Sequence, residues 1–248
     1  MMGKLTEKFE KIKTSKDSDE INDFLIELGN NPKQEYLVMI DYFMENYNPE
    51  IFSQIKLNLI YTLGQIGMQQ SLDNKYLDFL IEHYYSSDRW VRNEILSAIN
   101  KIANHIQLSK EIFSILEYAI IDEYLPISMN ALKAILLYET IPINTFKKLF
   151  KVLQNPDVKL QDHISNVLKK FVKNEEHLYE LLNVAGNYQI FTKKTFRFLL
   201  LIYFNSAMSL NNLESFRESI ESSEWENEYK VMFLNELDTY QKLLLKSI

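Results

Sequence analysis

The stretch "SSDRWVRNEILSAINKIANH", residues 86–105, begins with turn-forming residues and continues as a regular pattern of apolar and polar positions. Counting from Val91, apolar residues recur four, seven, eight and eleven positions later, at Ile95, Ala98, Ile99 and Ile102. Residues at these spacings share one face of an α-helix, because the helix repeats about every 3.6 residues. The stretch therefore predicts a turn followed by an amphipathic helix with one face to bury.

The same spacing recurs along the chain. The other starting positions are Ile55, Ile127, Leu160, Thr192 and Tyr229, and with Val91 they are separated by 36, 36, 33, 32 and 37 residues. The last copy has one polar exception, Glu236. A second apolar-periodic segment lies between successive copies, at 74–85, 109–121, 144–153, 175–185 and 212–220. Near-constant spacing predicts helix–turn–helix units that stack to bury their apolar faces.

Two of these units resemble the HEAT-repeat family. The resemblance is carried by "SSDRWVRNEILSAINKIA" (86–103) and "KLNLIYTLGQIG" (56–67), with weaker versions at 126–138 and 155–171. It implies an all-α fold, a right-handed α-solenoid (α-α superhelix) of about six helical pairs.

The resemblance implies a single array through residues 1–248. N-terminal capping helices are expected in 1–48, HEAT-like repeats in 49–205 and C-terminal capping helices in 206–248. The two terminal segments are more acidic and less regular than the centre, as capping repeats with a polar outer face are.

Composition narrows the class of protein. Five Gly and five Pro are few for a protein built from many tight turns, which favours long helices. Cysteine is absent, which excludes disulfides and thiolate chemistry and fits a cytoplasmic location. The longest apolar run, 198–204, has seven residues, whereas a membrane-spanning helix needs about twenty. The net charge of −7 argues against general nucleic-acid binding.

The charge is unevenly distributed. Residues 17–50 hold nine acids and one base, whereas residues 147–197 hold ten bases and five acids. The basic band is either a solvated face or a surface for an acidic partner segment or a phosphate backbone.

No catalytic residue, cofactor or metal site is predicted. The four histidines, His83, His105, His163 and His177, are isolated in sequence, and none precedes a glutamate. HEAT-like deoxyhypusine hydroxylases hold iron with His-Glu pairs, so that resemblance does not extend to this chain. HEAT-like alkylpurine DNA glycosylases and HEAT-like bilin lyases remain alternatives for the function.

Several apolar side chains lie off the expected core stripe and are candidates for a partner surface. They are Leu136, Leu137, Phe198, Leu201 and Ile202. Lys193, Lys194 and Arg197 border the last three. A helix that is apolar on all sides is either covered by neighbouring repeats or meets a partner, and both readings stay open here.

Trp90 and Arg92 complete the candidate surface. Trp90 is either an aromatic platform for a partner or the cover of a seam between repeats. Arg92 follows the first apolar position of its helix, where a base in HEAT arrays pairs with an aspartate in a neighbouring turn. The sequence as a whole predicts a non-enzymatic scaffold that binds a protein partner, a helix or an extended segment with acidic flanks. It does not indicate the oligomeric state.

Overall fold

The computed structural model describes residues 2–207 and 210–246, and within these ranges it is helical and has no β-strand. The all-α class predicted from the sequence is confirmed. The chain forms two compact units, residues 1–137 and 138–248. The continuity of one array through both units stays a prediction. None of the helices in the described ranges is long and apolar enough to cross a membrane.

The first unit contains eight described α-helices and a short 3-10 helix, Gln34–Tyr36. The α-helices are α1 (Met2–Ile12), α2 (Ser18–Asn30), α3 (Leu37–Glu45), α4 (Pro49–Gln69), α5 (Asn74–Tyr84), α6 (Arg89–Ile102), α7 (Lys110–Ala119) and α8 (Leu125–Ile135). The predicted segments 74–85 and 109–121 correspond to α5 and α7.

The second unit contains six described α-helices and a 3-10 helix, Val184–Ile190. The α-helices are α9 (Thr145–Val152), α10 (Val158–Phe171), α11 (Glu175–Asn183), α12 (Lys193–Ala207), α13 (Leu210–Glu221) and α14 (Asn227–Lys246). The segments predicted at 144–153, 175–185 and 212–220 correspond to α9, α11 and α13.

Capping residues fix where many of these helices begin. The side chains of Asp17, Asn48, Asp88 and Ser109 accept hydrogen bonds from backbone N–H groups in the first turns of α2, α4, α6 and α7. Such caps satisfy donors that the helix itself leaves unpaired. Asn144 occupies the expected position before α9 but makes no side-chain cap bond.

The stripe positions form most of the core that was predicted. Ile55, Leu59, Leu63 and Ile66 of α4 are fully buried, and so are Ile95, Ala98, Ile99 and Ile102 of α6. The second unit follows the same rule in α10, where Leu160, Ile164, Val167, Leu168 and Phe171 are buried. Three positions differ: Thr192 is exposed because α12 begins after it, Tyr138 is half-buried beyond the end of α8, and Tyr229 is half-buried near the start of α14.

Alternate helices of the first unit pack side by side in a fixed register. The row is α2, α4, α6 and α8, and α1, α3, α5 and α7 each pack on the next member of the row. Asn58 Nδ2 donates to Asn22 Oδ1 at 2.9 Å, and the hydroxyl of Thr62 donates to the Leu25 carbonyl at 2.7 Å. These partners are 36 and 37 residues apart and advance together, so α2 and α4 run parallel.

Close backbone approach holds α4 against α6. A Cβ atom added at Gly64 would lie 3.0 Å from the Cα of Ala98, and one at Gly67 would lie 2.4 Å from Cγ1 of Ile102. Both glycines are inside α4, so close packing against α6 accounts for them.

In the second unit, pairs of aromatic rings show the same offset between alternate helices. Helix α12 packs on α10 and on α14. The rings of Phe196 and Phe233 lie 4.0 Å apart, and those of Phe204 and Tyr240 lie 6.2 Å apart. These pairs are 37 and 36 residues apart, so α12 and α14 also run parallel. The 3-10 segment before α12 turns through left-handed backbone at Ala185 and Gly186.

The glycine contacts predict that Gly67→Ala destabilises the protein, which is the opposite of the usual effect of this substitution in a helix. Alanine normally stabilises an exposed helix relative to glycine by about 1 kcal/mol. Because the new methyl group at position 67 overlaps Ile102, we expect Gly67→Ala to lower the free energy of unfolding by about 1–2 kcal/mol in urea denaturation. The double variant Gly67→Ala/Ile102→Ala should lose less than the sum of the two single changes. A more stable Gly67→Ala protein would contradict this packing.

Candidate functional site

Two neighbouring turns of the first unit bring the candidate residues Trp90 and Arg92 together with side chains that the sequence did not single out. The first turn joins α5 to α6, and the second joins α7 to α8. Asp88 caps α6 by accepting the N–H groups of Trp90 and Val91 at 2.8 and 3.0 Å. The cap fixes the backbone of Trp90 in the first turn of α6.

An ion pair joins α6 to the second turn. Arg92 Nη1 lies 3.0 Å from Asp122 Oδ2, and the two side chains are only 21% and 9% exposed. Asp122 Oδ1 also accepts the N–H of Tyr124 at 2.9 Å. This is the pairing with a turn aspartate predicted for Arg92. Lys56, at the equivalent position of α4, lies over the ring of Phe52.

Aromatic side chains cover the outer side of the two turns. The rings of Tyr85 and Tyr118 meet edge to face at 5.5 Å, as do those of Trp90 and Tyr124. The guanidinium of Arg89 lies 5.0 Å from the Trp90 ring and 5.4 Å from the Tyr124 ring.

These aromatic side chains remain half in solvent. The exposed fractions of Tyr85, Trp90 and Tyr118 are 57%, 53% and 52%, and that of the neighbouring Ile121 is 50%. We call this surface the aromatic edge, and it consists of Tyr85, Arg89, Trp90, Tyr118, Ile121 and Tyr124. Trp90 thus both covers a seam between successive helix pairs and presents a ring to solvent.

A groove of about 310 Å³ runs along the aromatic edge. It is lined by Arg92, Tyr118, Ile121, Asp122 and Glu123. Buried polar atoms that make no hydrogen bond with other described residues lie in or beside the α5–α6 turn, namely Tyr84 Oη, Ser87 Oγ and Arg92 Nε. Leaving such an atom unpaired costs about 1–3 kcal/mol, so each would gain from a water or a partner acceptor.

The Tyr84 hydroxyl is one of these buried donors. Burial raises the pKa of its hydroxyl, and the negative charge of Asp122 adds to the effect while Arg92 opposes it. The hydroxyl therefore stays protonated at neutral pH.

The arrangement is suited to binding. Aromatic rings and arginine dominate the energetics of protein interfaces, because they bury a large area at a small entropic cost. In the part of the chain that the structure describes, no group of three His, Asp or Glu side chains is placed to hold a metal ion.

The second group of predicted residues lies on α12 in the second unit. Leu201 is 49% exposed and Phe198 is half-buried, whereas Ile202 is only 6% exposed. Ile202 is therefore part of the core of this unit. Phe198 and Leu201 remain candidates for a partner surface.

The basic residues of α12 also differ in their surroundings. Arg197 Nε donates to Glu236 Oε2 at 2.8 Å, and Arg197 Nη2 donates to Glu236 Oε1 at 3.0 Å. Glu236, the polar exception of the last repeat, is buried and depends on this fork of bonds. Lys193 and Lys194 are exposed and form no ion pair with a described residue.

Leu136 and Leu137 lie beyond the end of α8, at the boundary of the first unit. Leu136 is half-buried and Leu137 is 49% exposed. Of the ten predicted surface residues, the structure places Trp90 and Arg92 in the first turn of α6, with Arg92 lining the groove, and Phe198, Leu201, Lys193 and Lys194 on α12.

The sequence reasoning missed Tyr85, Tyr118 and Ile121, because the apolar pattern was counted from the helix starts and these residues follow or end the other helices. The sequence does contain a signal for two of these residues. Tyr85 and Ile121 are 36 residues apart, the same spacing as the helix starts, and each is a large apolar residue where a polar turn residue is usual.

The comparisons with known proteins show similarity of fold alone. No family model and no curated protein matches the chain. A crystal structure of an engineered protein from the Northeast Structural Genomics Consortium superposes with a TM-score of 0.52 and 13% identity, over 95% of this chain and 97% of that one. A second engineered protein from the same consortium gives a TM-score of 0.49 and 13% identity, over 93% of this chain and 67% of that one.

The burial difference on α12 predicts different outcomes for two adjacent substitutions. Leu201→Asp should change the melting temperature by only a few degrees, because a carboxylate at this position stays in water. Ile202→Asp buries an unpaired charge and should lower the free energy of unfolding by about 3–5 kcal/mol. Thermal melts of both variants check this. An equal loss of stability in both would show that Leu201 is also core.

Proposed function

We propose that this chain is a non-enzymatic scaffold that presents a helical surface to a protein partner, either a helix or an extended segment. The observation that carries the proposal is the aromatic edge, where four large apolar side chains are half-exposed beside a groove. We further propose that the architecture is a right-handed α-solenoid of about six HEAT-like helical pairs, and that the protein acts in the cytoplasm.

The register of the helices supports the solenoid. Parallel contacts between alternate helices are offset by 36 or 37 residues, both in α2–α4 and in α12–α14. A repeat whose equivalent residues contact each other at a constant offset stacks one unit on the next. Equivalent turns then line up along one side of the stack, which is where the aromatic edge lies in the first unit.

The energetics of the aromatic edge support a protein partner. Fully burying a large apolar side chain contributes roughly 1.5–3 kcal/mol, and the side chains of this edge are about half buried already. Covering Tyr85, Trp90, Tyr118 and Ile121 would therefore contribute roughly 3–6 kcal/mol before the costs of association. Clusters of this kind behave as binding hot spots.

Nucleic-acid binding is a second candidate, and the lysines of the second unit favour it. Lys147, Lys151, Lys169, Lys173, Lys193 and Lys194 are exposed and form no ion pair with any residue in the described ranges. The net charge of −7 works against it by repelling a polyanion at long range. We therefore rank this function below protein binding.

The scaffold proposal is tested by removing the aromatic edge without unfolding the chain. The double variant Trp90→Ala/Tyr118→Ala should lose at least tenfold in the recovery of partner proteins from extracts of cells that express the chain, measured by quantitative mass spectrometry. Val38→Ala, which shortens a 73% exposed side chain on α3, is the matched control and should retain them. Identical recovery by all three proteins would reject the aromatic edge as the binding surface.

The nucleic-acid candidate predicts a dependence on salt. If scaffolding is the function, binding to duplex DNA should be weak at physiological ionic strength and weaken further as salt rises, because phosphate contacts release counterions. Fluorescence anisotropy with a labelled duplex measures this. Tight binding that is lost in Lys169→Glu/Lys170→Glu would favour nucleic-acid binding over the scaffold, and excision of alkylated bases would favour a glycosylase-like activity.

A further inference from the structure

A second, smaller groove lies in the second unit where α9, α10 and α11 meet. Its volume is about 160 Å³. The residues that matter for its chemistry are Ile143, Phe146, Lys170, Phe171, Lys173 and His177. Ile143 and Phe146 flank the first residue of α9, Lys170 and Phe171 end α10, and His177 lies in the first turn of α11.

The floor of this groove is apolar. Phe146 and Phe171 are 2% and 6% exposed, so they belong to the core and show little surface. Ile143 is 43% exposed, an unusual fraction for an isoleucine in a well-packed unit. An apolar side chain from outside would find these three groups to contact.

The rim carries positive charge. Lys173 is exposed and forms no ion pair with a described residue, and Lys170 Nζ lies 5.3 Å from the centre of the Phe171 ring. Helix α9 begins beside Ile143 with no acidic residue in its first turn and no side-chain cap. The positive end of its dipole is therefore not neutralised locally, and it adds to the field of the lysines.

His177 adds a hydrogen-bond donor. The backbone N–H of Lys173 donates to its Nδ1 at 3.2 Å, so Nδ1 carries no proton. A neutral imidazole with an unprotonated Nδ1 has its proton on Nε2, which makes Nε2 a donor. Carboxylates accept such bonds readily.

Glu139 is the one acidic residue that lines this groove. It lies among residues 139–143, before α9, whereas Lys170, Lys173 and His177 follow one another at the α10–α11 junction. The groove therefore has two sides of different charge, and a bound segment would be oriented by them.

We propose that this groove binds an acidic protein segment in which one apolar side chain is flanked by carboxylates. The apolar side chain contacts Ile143 and the two phenylalanines, and the carboxylates pair with Lys170 and Lys173 and accept from His177. Charge complementarity selects this occupant, since a basic or neutral segment would leave the positive charge of Lys173 unpaired. The site is separate from the aromatic edge, so it goes beyond the proposed scaffold surface and does not depend on it.

The test uses a fluorescently labelled synthetic peptide with a central leucine between glutamates, and anisotropy as the readout. The wild-type protein should bind it, and binding should weaken as salt rises. Lys173→Glu should weaken binding by about tenfold or more, because an attraction becomes a repulsion. Lys159→Glu is the matched control, since Lys159 is an exposed lysine at the other end of α10 and should bind as the wild type does.

Three further changes distinguish this site from general charge attraction. Ile143→Ser and a peptide with serine in place of leucine should each weaken binding, whereas Glu139→Gln should strengthen it. Equal losses in Lys159→Glu and Lys173→Glu, or equal affinity for the leucine and serine peptides, would overturn the proposal. Tighter binding of a duplex DNA to the same residues would overturn it in favour of a phosphate site.

Discussion

The close approach of successive parallel helices is the constraint on which the rest of the first unit depends. A Cβ atom at Gly67 would lie 2.4 Å from Ile102, and one at Gly29 would lie 2.7 Å from the ring of Tyr61. A side chain that packs this closely onto a glycine fixes one register, because a shift of one residue along the helix would place another side chain in its space. Thr62 strengthens the same register by donating to the Leu25 carbonyl on the neighbouring helix.

The register of the helices also determines which turns lie side by side at the surface. When equivalent residues contact each other at an offset of about 36, the turns that follow them also lie side by side. Tyr85 and Ile121 are 36 residues apart, and both reach the aromatic edge. The Arg92–Asp122 ion pair locks the second of these turns onto α6. The positions of the side chains in the aromatic edge thus follow from the packing that forms the core.

The sequence predicted the helices and most of the core, because apolar periodicity reports directly on which face of a helix is buried. It could not predict how the second face of a helix is covered, because that depends on neighbours distant in sequence. Ile202 is buried and Leu201 is half-exposed although both are equally apolar. Glu236 is the polar exception in the apolar pattern of the last repeat, and its buried carboxylate accepts two hydrogen bonds from Arg197. Trp90 of the aromatic edge was predicted, whereas Tyr85, Tyr118 and Ile121 were not, because they do not occupy the stripe positions of the repeated pattern.

The register places the α5–α6 turn beside the α7–α8 turn, and cross-linking between the two turns tests this directly. The chain contains no cysteine, so only introduced thiols react. In Tyr85→Cys/Tyr118→Cys the native rings are 5.5 Å apart, and a short bifunctional maleimide should join the two thiols rapidly within one molecule. In Val38→Cys/Tyr118→Cys the thiols lie on α3 and α7, two helix pairs apart, and about 20 Å of separation should prevent the reaction. Equal rates for the two pairs, or cross-links only between molecules, would contradict the offset of about 36 residues between alternate helices of the first unit.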